Sequence, residues 1–341
     1  MNKAATAGSY QLVVSEYQEF KRKMDGMDEI LIWDNHACMP LRTDTSFLHQ
    51  LRRYKASGVS VAFLNVMFDN IMPWYRGVQV LSAMRRWLLA RRDEYRIINA
   101  AGDVTLAASE GKLAVAFDIE GMCGLGGQVS MVRTYYDLGV RWMLIAYNRN
   151  NEAGGGCMDT DGGLTDYGRR VIREMERVGM GLCCSHTGER TCMEAFEWAR
   201  NPVMLTHSNP KALVDHPRCV SDSVIKACAQ TGGTIGVTGF GEFLQDGLAT
   251  AQNYFRHIDY VVNLVGPLHT ALASDYVFDP EELEDFAHNP LLGSTGSVPS
   301  LFAPEQFPEL VEEMLRHGYS DYDIRAILGG NLLRLAHIIW K

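Results

Sequence analysis

Eight short runs of Val, Ile, Leu, Phe and small residues recur along the chain, each separated from the next by a stretch with helical spacing. They are ILIW at 30–33, VSVAFLNV at 59–66, LAVAFDI at 113–119, VRWMLIAY at 140–147, MGLCCS at 180–185, PVMLT at 202–206, TIGVTGF at 234–240 and TALAS at 270–274. The runs are continuously apolar instead of alternating, which suits strands buried on both faces of a parallel sheet. Between them, Thr45 to Ser57, Gln79 to Asn99, Asp166 to Arg177 and Asp222 to Gln230 carry a period near 3.6 with suitable caps. A β then α alternation repeated eight times predicts an α/β fold, a single (β/α)8 TIM-type barrel over residues 1–341. From about Pro280 the chain reads as a loop rich in Pro and Gly, then two helices, Pro304 to His317 and Tyr322 to Ile339, expected to close the barrel.

With 341 residues, 47% of them hydrophobic, there is material for a large core. The net charge is −9 and no basic run or aromatic-basic stripe interrupts it, so neither nucleic acid nor an anionic membrane is the expected partner. A small-molecule substrate is. Residues 1–20 lack the apolar core of a signal peptide, and no run of about 18 apolar residues is present to span a bilayer. The eight cysteines show no CxxC pair and no disulfide-framework spacing, which reads as reduced thiols and a cytoplasmic setting. The Gly-rich patches at Gly154 to Gly156 and Gly293 to Gly296 are short enough to be loops.

In a barrel of this kind, reactive groups sit where the strands end. The first run leads into Asp34-Asn35-His36-Ala37-Cys38, the third into Asp118-Ile119-Glu120-Gly121, the fifth into Ser185-His186, the sixth into Thr206-His207-Ser208 and the eighth into Ser274-Asp275. A single histidine at a strand end is more often a hydrogen-bonded structural residue than a ligand. Three of them with a glutamate, all at one mouth, are explained in one step by a shared metal site.

These residues, together with Met39-Pro40, Asn148-Arg149-Asn150-Asn151, Gly163-Leu164-Thr165 with Gly168, Glu174-Met175, Ser208-Asn209, His216-Pro217-Arg218, Gly232-Gly233, His257 and Gly329-Gly330-Asn331, resemble the membrane (renal) dipeptidases. Those are zinc metallopeptidases of the amidohydrolase-like barrel group. The resemblance runs from about His36 to Asn331. It implies a metal-dependent hydrolase that cleaves a dipeptide or dipeptide-like amide, one or two zinc ions, and a homodimer. It also implies metal ligands at His36, Glu120, His186 and His207, with Glu120 bridging two ions, since a carboxylate has two oxygens to offer and a neutral imidazole does not. Asp275 would shuttle the proton from the attacking water to the leaving amine, and Arg218 would bind the substrate carboxylate with its planar fork of donors.

The sequence departs from the family pattern in four places. Where the family has an aspartate ligand after the first strand, this chain has Cys38; sulfur is a good zinc donor, but a position shaped for a carboxylate oxygen favours a weakened first site. Tyr147 stands where the family has the histidine that stabilises the oxyanion, a role a phenol can fill with one hydrogen bond. Phe240 falls where the family has a tyrosine that touches the substrate carboxylate. The glycine usual shortly after the last aspartate is missing from Asp275-Tyr276-Val277-Phe278-Asp279. Alternative readings are a diverged member with one metal or none that acts on another small amide or only binds a metabolite, and a thiol enzyme using Cys38 with His36.

Overall fold

Strand residues alternate sides, so a parallel strand inside a barrel must satisfy two apolar surroundings at once. The fourth strand shows how this chain does it. In Leu113–Glu120, Leu113, Val115, Phe117 and Ile119 join the cluster under the helices. Ala114 and Ala116 face the barrel axis, and the same inward side continues into Asp118 and Glu120 at the end of the strand. One period-two pattern thus fills the barrel below and delivers two carboxylates at its mouth.

The computed structural model describes residues 30–289 and 296–341. The reading of residues 1–20, and that of the patch at Gly293 except for Gly296 itself, lie outside them. The strands are β1 (Ile32–Cys38), β2 (Val59–Phe68), β3 (Tyr95–Ile97), β4 (Leu113–Glu120), β5 (Val140–Leu144), β6 (Gly181–Cys183), β7 (Ile235–Thr238), β8 (Thr270–Ala273) and β9 (Tyr276–Val277). The helices are α1 (Leu51–Ala56), α2 (Trp74–Leu89), α3 (Gly102–Ser109), α4 (Met131–Asp137), α5 (Asp166–Val178), α6 (Glu189–Trp198), α7 (Asp222–Gln230) and α8 (Ala251–Val265). After them come α9 (Pro280–His288), α10 (Phe307–Arg316), α11 (Asp321–Arg325) and α12 (Asn331–Ile339).

Every ladder is parallel. One runs β6-β5-β4-β2-β1-β9 and another pairs β7 with β8. Single parallel bridges, Cys183 with Met204 and Leu205 with Ile235, join β6 to β7. On the other side, β8 reaches β1 where the Asp275 N–H donates to His36 O at 3.0 Å, and β9 continues the pairing at Ala37 and Cys38. The predicted α/β barrel is the fold.

The helices begin where the capping chemistry says they should. Thr165, Ser221 and Thr250 each accept a backbone N–H of the first turn of α5, α7 and α8. The far end of the barrel is stoppered by aromatic rings: Trp33 and Phe63 lie 5.7 Å apart, Phe63 and Trp142 5.4 Å, and Trp142 and Trp340 5.0 Å. Trp340 comes from the turn after α12, so the C-terminal helices close the barrel as expected. Asn331 fastens α12 by donating to Pro267 O and Thr270 O, both at 2.8 Å.

Three expectations are corrected. The helix read over Gln79 to Asn99 stops at Leu89, and Tyr95–Ile97 pairs with β4; Tyr95 and Ile97 prolonged the apolar spacing without being helical. The run at 202–206 contributes only its two bridges. The stretch from Pro280 opens with a helix in place of a loop, because Asp279 caps the Glu281 N–H and a proline at the first position is preset for helix.

Candidate metal centre

The strand ends bring the predicted ligands together. His186 Nε2 lies 3.2 Å and His207 Nε2 3.0 Å from Glu120 Oε1, and the two Nε2 atoms are 2.9 Å apart. His36 Nε2 approaches Glu120 Oε2 at 3.8 Å and Asp275 Oδ1 at 3.6 Å. Cys38 Sγ sits 3.6 Å from His36 Nε2 and 3.9 Å from Asp275 Oδ1. His36, Glu120 and His207 form one group able to hold an ion, and His36, Cys38 and Asp275 another.

Each imidazole is oriented through its other nitrogen. His36 Nδ1 meets Asp118 Oδ2 at 2.8 Å, His186 Nδ1 meets Asn148 Oδ1 at 2.7 Å, and His207 Nδ1 meets Thr206 Oγ1 at 2.9 Å. All three Nε2 atoms are thereby left for the centre, the arrangement in which histidines ligate metals. The donor set fits a cation on its own chemistry. Two imidazole nitrogens at 2.9 Å beside a buried carboxylate oxygen need a positive charge among them. Burial, reinforced by the nearby Asp118 and Asp275 carboxylates, pushes Glu120 up to about 8 against the pull of His36 and Arg218. Burial pushes His186 and His207 well below the ordinary imidazole range, which leaves both as neutral donors. Burial opposes charge on His36 as well, but Asp118 and Glu120 outweigh it and raise that group. Burial pushes the Cys38 thiol up to about 12, against the pull of His36.

Backbone geometry aims several of these groups. Asn148, His186 and Asp275 all have φ between 54° and 60°, a left-handed conformation that costs about 1–3 kcal/mol each and clusters at functional sites. Asp275 is held in it by its N–H bond to His36 O and by Thr238 Oγ1, which donates to Asp275 Oδ2 at 3.2 Å. The neighbouring Ser274 gives its N–H and its hydroxyl to the buried Asp34. After Glu120, Gly121 has φ 119°, and a Cβ there would overlap the Asp69 carboxylate. Asp69 in turn accepts from the Cys123 N–H at 2.9 Å and from Asn151, bracing the loop that carries Asn148.

A cavity of about 260 Å³ opens above the centre and is lined by Cys38, Glu120, Tyr147, His186, Arg218 and Asp275. It is smaller than the ~300–1,000 Å³ typical of ligand pockets, which suits a small ligand. Its remaining wall is largely apolar, with Phe68, Met158, Phe240, Phe243 and Phe286. Tyr147 stacks on His186 with ring centroids 4.3 Å apart. The Arg218 guanidinium is buried, donating from Nη1 to Ser208 Oγ at 3.2 Å and from Nη2 to His207 O at 2.5 Å. Its Nε has no hydrogen-bond partner among the described residues.

All eight residues singled out from the sequence therefore meet at one mouth, with His36 and His207 buried against Glu120. Sequence reasoning assigned no role to Asp118, Asn148, Thr206 and Thr238. Asp118 carried a signal, lying two residues before Glu120 on the same strand and hence on the same face.

The family model for the membrane dipeptidases, peptidase family M19, matches residues 24–340. The chain belongs to the membrane dipeptidase family. Among dipeptidase relatives, aclJ of Aspergillus oryzae is 31% identical over 67% of this chain and 52% of its own length, and tcpJ of Claviceps purpurea 30% identical over 75% and 58%. The chain thus spans between half and three-fifths of the length of these relatives. An amidohydrolase from Pseudomonas aeruginosa superposes with a TM-score of 0.82 at 25% identity, covering 91% of this chain and 96% of that one. A metallo peptidase from Rhodobacter sphaeroides, liganded with a phosphinate mimic of L-Ala-D-Ala, shares the fold with a TM-score of 0.78 at 19% identity, covering 92% and 100%. For this membrane dipeptidase family member, no helix among the described residues is long and apolar enough to cross a membrane.

Proposed function

We propose that the protein is a zinc-dependent hydrolase that cleaves the amide bond of a dipeptide or a dipeptide-like small molecule. The observation that carries this reading is the convergence of His186 Nε2 and His207 Nε2 on Glu120 Oε1 at the floor of a small cavity that also presents Asp275 and Arg218. His36, Glu120, His186 and His207 would hold the metal, with Glu120 offering one oxygen to each of two positions. When bound, zinc acidifies a water into a usable nucleophile and polarises the scissile carbonyl.

The protein's own groups do the rest. Asp275 accepts the proton of the attacking water on its carboxylate and delivers it to the departing amine. Arg218 receives the substrate carboxylate, its buried guanidinium already fixed by Ser208 and the His207 carbonyl. Tyr147 donates its hydroxyl to the developing oxyanion; burial, with Glu120 close by, holds that phenol protonated. The apolar wall around Phe240 and Phe243 keeps water from competing for these bonds. The eight free thiols suit a reducing, cytoplasmic setting.

The test is metal content per chain on protein purified without added zinc, paired with hydrolysis of a dipeptide panel that includes L-Ala-D-Ala. Bound zinc and turnover of at least one dipeptide, both removed by a chelator, are expected. Protein that holds no divalent metal and cleaves nothing in the panel would overturn the reading.

A further inference from the structure

We infer that Cys38 is itself a metal ligand and makes the first metal position a mixed nitrogen, sulfur and oxygen site that selects a thiophilic ion. The inference deepens the hydrolase reading of this pocket and rests on it.

Its support is the shape of the cluster. Bonds of roughly 2.0–2.1 Å to nitrogen or oxygen and roughly 2.3 Å to sulfur, at tetrahedral angles, put ligand atoms about 3.3 Å apart for a nitrogen-oxygen pair and about 3.6 Å for a pair containing sulfur. The observed separations are 3.6 Å for Cys38 Sγ to His36 Nε2, 3.9 Å for Cys38 Sγ to Asp275 Oδ1 and 3.6 Å for His36 Nε2 to Asp275 Oδ1. The Cys38–His36 edge is that of a tetrahedral nitrogen-sulfur pair, and Asp275 Oδ1 stands beside both atoms, where it remains available for its proton-shuttle role. Glu120 Oε2 lies 3.8 Å from His36 Nε2.

The surroundings of the thiol are those of a ligand and not of core filler. Cys192 and Cys228 are buried and give their S–H groups to backbone carbonyls. Cys38 lines the cavity and faces an imidazole nitrogen and a carboxylate oxygen. The strand end that carries it is pinned on both sides, by the pairing of Cys38 with Val277 and by the Asp275 N–H bond to His36 O. Sulfur is therefore held where the oxygen of a carboxylate ligand would be expected, at a spacing that its longer bond matches. On ligation the thiol releases its proton to solvent and the sulfur lone pair forms the metal bond, so the site keeps the formal charge that an aspartate would bring. What changes is softness, which favours zinc and cadmium over manganese and magnesium.

The experiment loads the full chain with cobalt(II) and records the near-ultraviolet spectrum of wild type, Cys38→Ser and Cys38→Asp, with circular dichroism to verify folding. A thiolate-to-cobalt charge-transfer band in wild type that is lost in both variants is expected. Cadmium should be preferred over manganese at least about tenfold more strongly in wild type than in Cys38→Asp. In wild type alone, zinc should protect Cys38 from alkylation, read by peptide mass, so the test stands even if a variant fails to fold. An identical spectrum in wild type and Cys38→Ser at equal cobalt content, or alkylation of Cys38 at the same rate with and without zinc, would overturn the inference while leaving the hydrolase reading intact. Wild-type protein that takes up no cobalt at all and cleaves no dipeptide would overturn both.

Discussion

His36 on β1 and Asp118 on β4 reach each other across β2, and their 2.8 Å bond turns the free imidazole nitrogen toward Glu120. The intervening strand takes part: Asn65 Nδ2 donates to the other Asp118 oxygen at 3.1 Å. Three strands thus fix the orientation of one ring. Asp118→Asn keeps the shape but offers at most one acceptor oxygen for two partners. We expect metal affinity to fall about 10–100-fold, measured by competition with a chromophoric chelator; an unchanged affinity would show that the pair is only structural.

Asp275 can be tested without disturbing its backbone. Asparagine tolerates the left-handed conformation that φ 54° demands, so Asp275→Asn should fold normally. It cannot take a proton from water, and kcat should drop by about 10²–10⁴-fold. Steady-state kinetics on the best dipeptide of the panel, with circular dichroism as control, separates this from a folding defect.

His257 gives a prediction about pH and stability. It lies buried in α8 with neither ring nitrogen partnered among the described residues, and burial depresses it from 6.5 to about 4. Between those values the unfolded chain binds the extra proton and the folded one does not. The stability that His257 contributes by staying neutral is therefore present above pH 6.5 and is lost as the pH falls toward about 4, with a slope of at most about 1.4 kcal/mol per pH unit. His257→Leu should flatten that part of the curve in urea unfolding measured from pH 7 to pH 4. A variant as acid-sensitive as wild type would place the titration elsewhere.

Trp340 holds the stopper of the barrel together by contacting Trp33, Phe63 and Trp142. Trp340→Ala removes a large ring from an enclosed aromatic cluster, and a loss of about 3–5 kcal/mol is expected. Chemical denaturation monitored by fluorescence will read it. A loss below about 1 kcal/mol would mean that α12 closes the barrel through its other contacts.

The apolar runs and the helical spacing between them determined the barrel, because buried parallel strands and amphipathic helices leave local periodic signatures. The same runs marked His36, Glu120, His186, His207 and Asp275, since residues at the C-terminal end of a strand in this architecture must lie at the barrel's mouth. Tertiary structure decided what no local period encodes. Asp118 serves His36 from two strands away, Thr238 holds Asp275 from the neighbouring strand, and Tyr95–Ile97 is a strand only because the start of β4 has an open side for it. The neighbours of Cys38 belong to the same class: its reading as a weakened position came from residue type alone, whereas its distances to His36 and Asp275 arise from how β9 pairs with β1. Spacing along a chain fixes which face a side chain takes; the distance between two faces depends on strand register and on packing around the closed ring.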